Sequence, residues 1–240
     1  MTVDTFFTGV AVDPAAVPGT TAVVIDVIRA TSTIMEALAN GARAVYPVAS
    51  TEEAVQLAAS LGRDDSLLCG ERKGVMIEGF DLGNSPREYT PEVVAGKQLV
   101  MTTTNGTRAF VAVQGAERVV AASFLNLSAV VEAVKDADRL LVVCAGKEDR
   151  FSMDDAVCAG LLIQRVLETR GGGGVMNDGS RAAVLLAAGR EITVDFLVST
   201  AAGAALLEVG LGDDLPFVAA LDRHDRVPVM EDRVIRLPRR

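Results

Sequence analysis

The feature that most constrains this 240-residue chain is the way short β-branched runs alternate with segments of helical composition. Thr21 to Ile28 is a β-branched run with one acid, Asp26, inside it. Ala30 to Asn40 follows at once with helical composition and stops at Gly41. The unit then recurs. Ala44 to Val48 reads as a strand, Ser50 and Glu53 have capping-box spacing, and the helix they open runs to Leu61 before Gly62. Ser66 to Cys69, Gln98 to Thr102, Glu117 to Ala122 and Arg139 to Cys144 continue the strand series. Helices are predicted from Ser85-Pro86 onward, over Asn105 to Val113 and over Leu127 to Val134. Strands joined by helices rather than tight turns cannot pair as hairpins. They predict an α/β layered sandwich whose largely parallel or mixed sheet is covered by helices.

Beyond Cys144, Ser152 and Asp155 repeat the capping-box spacing ahead of a helix that ends before Gly171 to Gly174. The tail reads as helices over Ser180 to Ala188, Asp195 to Glu208 and Asp214 to Leu221, then a strand from Arg226 to Ile235. The chain is expected to be a single domain over 1–240. The glycine run at 171–174 is the one plausible hinge between two lobes.

Composition excludes several functions. Asp plus Glu outnumber Lys plus Arg by 32 to 23, a formal charge of −9, so the average field repels nucleic acid and anionic membranes. The single histidine, His224, excludes a His-rich zinc site and is expected on a surface turn. Cys69, Cys144 and Cys158 have no C-x-x-C spacing and read as reduced, buried thiols. The N-terminal stretch Met1 to Gly19 carries no Lys or Arg and is broken by Pro14 and Pro18, unlike a targeting peptide. No apolar run reaches membrane-spanning length, and a cytoplasmic location is expected.

Ligands of open α/β sheets collect beyond the carboxyl ends of the strands, and the polar residues of this chain gather at those places. After the first predicted strand come Asp26, Arg29 and the hydroxyls of Thr31, Ser32 and Thr33 at a helix start, where phosphate or sulfonate is favoured. After the third come Glu71, Arg72, Lys73, Asp81 and Asn84 within a glycine-rich stretch. After Gln98 to Thr102 comes the hydroxyl-rich turn with Thr104, Asn105, Gly106 and Thr107. After Cys144 come Lys147, Glu148 and the acid pair Asp154 and Asp155.

The segments Val24 to Thr33, Gly70 to Pro86, Thr102 to Arg108 and Cys144 to Gly146, with Asp154 and Asp155, closely resemble the 2-phosphosulfolactate phosphatase (ComB) family. The tail from Ser199 to Val229 also resembles that family, so the likeness covers nearly the whole chain. The resemblance implies a magnesium-dependent phosphatase of coenzyme M biosynthesis type, converting 2-phospho-3-sulfolactate to 3-sulfolactate and phosphate. It also implies an α/β fold of the family's own kind, not a Rossmann domain. Another small phosphorylated acid as substrate, or a non-catalytic anion-binding module, are the rival readings.

Mg2+ takes oxygen ligands and keeps several waters. Asp26, Glu71 and Asp81 are therefore expected as metal ligands, with Asp154 or Asp155 behind them. Arg29 and Arg72 are expected to supply charge-assisted bonds at the catalytic centre. Thr31, Ser32, Thr33, Asn84, Thr104, Asn105, Gly106 and Thr107 are expected to hold the remaining oxygens of a small anionic substrate. Water activated by the metal is favoured as nucleophile over Asp26 itself. The Ala- and Val-rich tail helices are compatible with a homodimer.

Overall fold

The computed structural model describes residues 1–238. In chain order the strands are β1 (Thr2–Phe6), β2 (Thr21–Ile25), β3 (Ala44–Pro47), β4 (Ser66–Arg72), β5 (Val75–Met76), β6 (Gln98–Thr102), β7 (Arg118–Ala122), β8 (Arg139–Cys144), β9 (Val175–Met176), β10 (Val229–Glu231) and β11 (Val234–Arg236). The helices are α1 (Ala30–Ala39), α2 (Thr51–Leu61), α3 (Pro91–Val94), α4 (Gly106–Ala112), α5 (Leu127–Val134), α6 (Met153–Thr169), α7 (Asp178–Ala187), α8 (Val194–Val198), α9 (Ala201–Glu208) and α10 (Asp214–Val218).

The strands form one mixed sheet in the order β5-β4-β6-β3-β11-β10-β7-β2-β8-β1-β9. One parallel block holds β4, β6 and β3, and the other holds β7, β2, β8, β1 and β9. The antiparallel ribbon β10–β11 lies between them and pairs antiparallel with β7 on one side and β3 on the other. Three successive antiparallel pairings set the two blocks in opposite senses. The carboxyl ends of strands from both blocks nevertheless line one cleft, so the sheet must twist and coil strongly between them, as long sheets do.

Alternate strand residues feed two cores, which is why the central strands read as continuous apolar runs rather than as alternating ones. Val23, Ile25, Val120, Leu140 and Val142 pack on one face with Val131 of α5, Leu162 and Ile163 of α6 and Ala183 of α7. Ala22, Val24, Ala121, Leu141 and Val143 pack on the other with Ile34 and Leu38 of α1 and Phe110 of α4. Removing one such Leu or Ile side chain from water stabilises the fold by about 1.5–3 kcal/mol.

Several sequence-predicted elements change on folding. The expected strand from Arg226 to Ile235 is a hairpin, broken at Asp232 and Arg233, whose φ angles of 49° and 62° lie in the left-handed region. The helix expected over Asp195 to Glu208 is two helices, because the Thr200 side chain accepts from the Gly203 N–H at 3.0 Å and starts α9 afresh. The helix expected from Ser85 is one three-residue 3-10 turn, Pro86–Glu88. β1 is additional to the predicted strands and lies between β8 and β9. Gly171 to Gly174 lie in the turn from α6 to β9.

His224 is not a bare surface turn residue. Its Nε2 lies 2.7 Å from Glu36 Oε2, and Glu36 is buried on α1. The three cysteines are free and buried, and burial pushes the Cys69 thiol up to about 12, far from thiolate reactivity. Among the described residues no helix is long and apolar enough to cross a membrane.

Candidate active site

An open cleft of about 300 Å³ lies over the carboxyl ends of β2, β4, β6 and β8. Asp26 enters it after β2, Glu71 from β4, Thr104 and Asn105 after β6, and Gly146 to Glu148 after β8. Ala202, Ala205 and Leu206 of α9, with Val209 just past its end, make an apolar wall.

Asp26 is fixed where β2 turns into α1. The Ala30 N–H donates to its Oδ1 at 3.2 Å, and Thr31 Oγ1 accepts from its backbone N–H at 3.0 Å. Gly106 packs so closely that a Cβ there would stand 2.6 Å from Asp26 Oδ2 and 2.6 Å from the Ala30 Cβ, so only glycine leaves this carboxylate its place. Burial pushes Asp26 up to about 7. The Ala30 N–H opposes this, the charges of Asp154 and Glu71 add to it, and Arg29 opposes it weakly. Asp154 is raised by burial, and Asp155 is raised well above its usual range by burial and by the charges of Asp154 and Asp26.

The other acids have structural partners. Glu71 Oε1 accepts from the Thr104 N–H at 2.7 Å, and its Oε2 accepts from the Gly74 N–H at 2.7 Å. Asp155 joins two strand ends, accepting from the Val27 N–H at 2.8 Å and the Gly146 N–H at 3.0 Å. That replaces the expected capping box, and Ser152 Oγ instead donates to Asp154 Oδ1 at 2.5 Å. Asn84 is 5% exposed and lines the cleft, and its Oδ1 is buried with no hydrogen-bond partner among the described residues. A buried amide oxygen in that state is built to face a donor or a cation.

The structure corrects the expected ligand set at several positions. Asp81 does not join Asp26 and Glu71. It lies outside the cleft, bound to Arg63 at 3.1 Å and to the Leu68 N–H at 2.7 Å. Among the described residues no three His, Cys, Asp or Glu side chains are arranged to enclose a metal ion. Arg72 also lies outside, its guanidinium on Thr102 Oγ1 and the Glu71 carbonyl. Arg29 does line the cleft, but its Nη1 is 2.8 Å from Asp214 Oδ2 and its Nη2 donates to the Gly74 carbonyl at 2.9 Å.

The α1 hydroxyls are engaged in the scaffold. Thr31 Oγ1 has the Asp26 and Ala122 carbonyl oxygens at 2.8 and 2.7 Å to share its single proton, Ser32 Oγ donates to the Val27 carbonyl and Thr33 Oγ1 to the Asn84 carbonyl. Thr107 Oγ1 lies 3.3 Å from Thr103 Oγ1. Asn105 Oδ1 accepts from the Glu148 N–H, while Asn105 and Thr104 both line the cleft. The cleft also holds Lys73 and Lys147, whose place past strand ends was visible in the sequence, and the α9 wall, which left no local signal.

A coiled α/β sheet whose strand ends converge on buried acids, lysines and an unpartnered amide oxygen defines an α/β enzyme that handles a small charged ligand. The family model described as 2-phosphosulpholactate phosphatase matches residues 8–233. A protein of Thermotoga petrophila named "Probable 2-phosphosulfolactate phosphatase" is 43% identical over 215 residues, covering 89% of this chain and 90% of its own. Proteins with the same name from Symbiobacterium thermophilum and Gloeobacter violaceus are 42% and 40% identical, covering 89% and 86% of this chain and 92% and 86% of their own. The chain belongs to the 2-phosphosulpholactate phosphatase family, and it is a phosphoric monoester hydrolase.

Proposed function

We propose that this protein hydrolyses 2-phospho-3-sulfolactate to 3-sulfolactate and phosphate with a bound magnesium ion, the reaction type of coenzyme M biosynthesis. The charge balance of the cleft carries this reading. Its lining holds five acidic side chains, of which Asp26 and Asp155 are raised by burial and Glu71, Glu148 and Glu208 remain, against three cations, of which Arg29 already faces Asp214. A polyanionic ester enters such a cleft only with an added cation.

The residues fit that ion. Asp26 is a buried carboxylate that burial and two neighbouring acids have pushed to about 7, as expected of a group lacking a positive partner. Asn84 Oδ1 is an unpartnered oxygen on the same cleft. Mg2+ keeps most of its waters and needs only one or two protein oxygens, so the missing three-acid cage is no obstacle. Asp26 would hold it and Asn84 would accept from its water. When bound, the ion neutralises phosphate oxygens and lowers the pKa of water.

The chain's own groups orient the ester. Thr104 and Asn105 present the strand-to-helix turn ahead of α4, and Ala202, Ala205 and Leu206 of α9 give the cleft one apolar side. Attack by water at phosphorus breaks the bond to the C2 oxygen, which leaves with a proton as the 2-hydroxyl of sulfolactate. An aspartyl-phosphate on Asp26 is disfavoured because the position two residues on, where its proton donor is needed, is the apolar Ile28 on the cleft wall.

The test is phosphate release from 2-phospho-3-sulfolactate and from other phosphorylated carboxylates and sulfonates, with chelator and with added magnesium. Release should stop in chelator and return with the metal. Asp26→Asn should lower kcat by about 10² or more with an unchanged circular dichroism spectrum. Release that persists in chelator refutes the metal, binding without release in any condition makes the protein an anion-binding module, and a trapped acyl-phosphate on Asp26 overturns the water route.

A further inference from the structure

Both arginines near the cleft are engaged elsewhere, Arg29 with Asp214 and Arg72 with Thr102, so the substrate body must find its positive charge in other side chains. Lys73 and Lys147 both line the cleft, and among the described residues neither has a carboxylate within ion-pair distance.

Each lysine stands on a tight turn that buried site residues lock in place. Lys73 has φ of 53° at the turn between β4 and β5. That turn is fastened where the Gly74 N–H meets Glu71 Oε2 at 2.7 Å and the Gly74 carbonyl meets Arg29 Nη2 at 2.9 Å. Lys147 opens a second turn, in which residues 147 and 150 exchange backbone hydrogen bonds of 2.9 Å and Glu148 and Asp149 take φ of 51° and 59°. That turn is fastened by the Gly146 N–H on Asp155, the Glu148 N–H on Asn105, and Arg108 on Asp149 at 2.9 Å. Left-handed backbone is unfavourable for residues with a Cβ and persists where surrounding bonds impose it. Glu71 and Asp155 thus act as anchors for two lysine-bearing turns. Ala202, Ala205 and Leu206 of α9, with Val209 just beyond its end, offer no competing side-chain donor, and Glu208 of α9 adds only a further acid to the cleft.

We propose that Lys73 and Lys147 are the specificity-determining pair of this cleft. They hold the carboxylate and sulfonate of the ester, so that phosphomonoesters with further anionic groups are selected over those with a neutral body. An ammonium on a flexible stem suits either group as a point charge. The pair deepens the activity proposed above and rests on it.

The test compares K73M, K147M and the matching arginine variants on 2-phospho-3-sulfolactate and on p-nitrophenyl phosphate, with magnesium present. Methionine keeps the aliphatic stem and removes the charge. Each methionine variant should raise KM for the sulfolactate ester about tenfold with kcat within about threefold. The ratio of kcat/KM between the two substrates should fall about tenfold, and arginine should restore most of it. Ratios unchanged by either methionine variant overturn the pair, whether both substrates decline together or neither does. Should the wild-type protein release no phosphate, calorimetric titration with 3-sulfolactate separates the two ideas. A Kd raised about tenfold in the variants then supports the lysines while the phosphatase reading falls. Binding that is insensitive to both lysines, or undetectable in the wild type, overturns the pair.

Discussion

Arg29 is 3% exposed, and the carboxylate it faces on Asp214 is fully buried and also accepts from Ser85 Oγ at 2.6 Å. A guanidinium placed just past a strand tip reads as a substrate ligand in the sequence, but its partner is 185 residues away and the site's hairpin hangs on its other nitrogen. Removing it leaves a buried charge without compensation. Arg29→Met should therefore lower unfolding stability by about 3–5 kcal/mol in urea titration, and the added change Asp214→Asn should recover part of that loss. A higher KM with unchanged stability would instead make Arg29 a plain substrate ligand. At this scale the sequence located Asp26, Glu71, Asn84, Thr104 and Asn105 on one cleft, because strand tips are where polar residues interrupt apolar runs. It misplaced Arg72, since one residue of register decides whether a side chain at a strand end faces the cleft or the flank, and Asp81, whose loop turns its carboxylate back onto Arg63 and the Leu68 N–H.

Among the elements, β6, β8 and α5 have the limits that apolar runs and their flanking turn residues predict. Closer approach between elements was not legible. Gly160 in α6 lies against α7, where a Cβ would come 2.0 Å from the Ala183 carbonyl oxygen and 2.7 Å from the Ala187 Cβ. In an exposed helix interior alanine is better than glycine by about 1 kcal/mol. Here the sign reverses, and Gly160→Ala should destabilise by about 1–3 kcal/mol, read as a lower Tm, because two packed helices must separate to admit one methyl group. An unchanged or higher Tm would show that α7 yields without loss. The broken tail helix and the split last strand have the same origin. A cap at Thr200 and two left-handed residues at 232 and 233 are small local signals that neighbouring packing makes decisive.

Across the whole molecule, two sets of carboxylates act on stability with opposite sign. Burial pushes Glu36 up, but the hydrogen bond from His224, the charges of Arg223 and His224 and the amide of Asn40 outweigh it and hold its carboxyl below the usual range. Its contribution is present above about pH 4.5 and is lost as pH falls through its lower folded value. Asp26, Asp154 and Asp155 are raised, so the folded chain keeps protons that the unfolded chain releases, and stability declines as pH rises from about 4 to about 7. Tm in chelator should therefore be highest at about pH 4 and fall toward about pH 8. Magnesium should raise Tm, and more at the higher pH, because the ion supplies the charge that these acids lack. A magnesium increment equal at both pH values, or absent, would remove the buried acids as its cause.

The alternation of apolar runs with helical segments was enough to set an α/β sandwich, its main strands and the strand ends at which chemistry gathers. Those are local and periodic properties, carried by side-chain sequence within windows of a few residues. Only the tertiary structure decided the rest: that two oppositely directed blocks flank the β10–β11 ribbon, that Arg29 meets Asp214, and that Glu71 and Asp155 fasten turns bearing lysines. Such pairings join residues scores of positions apart. Their geometry depends on sheet twist and register summed over many strands, which no local pattern encodes.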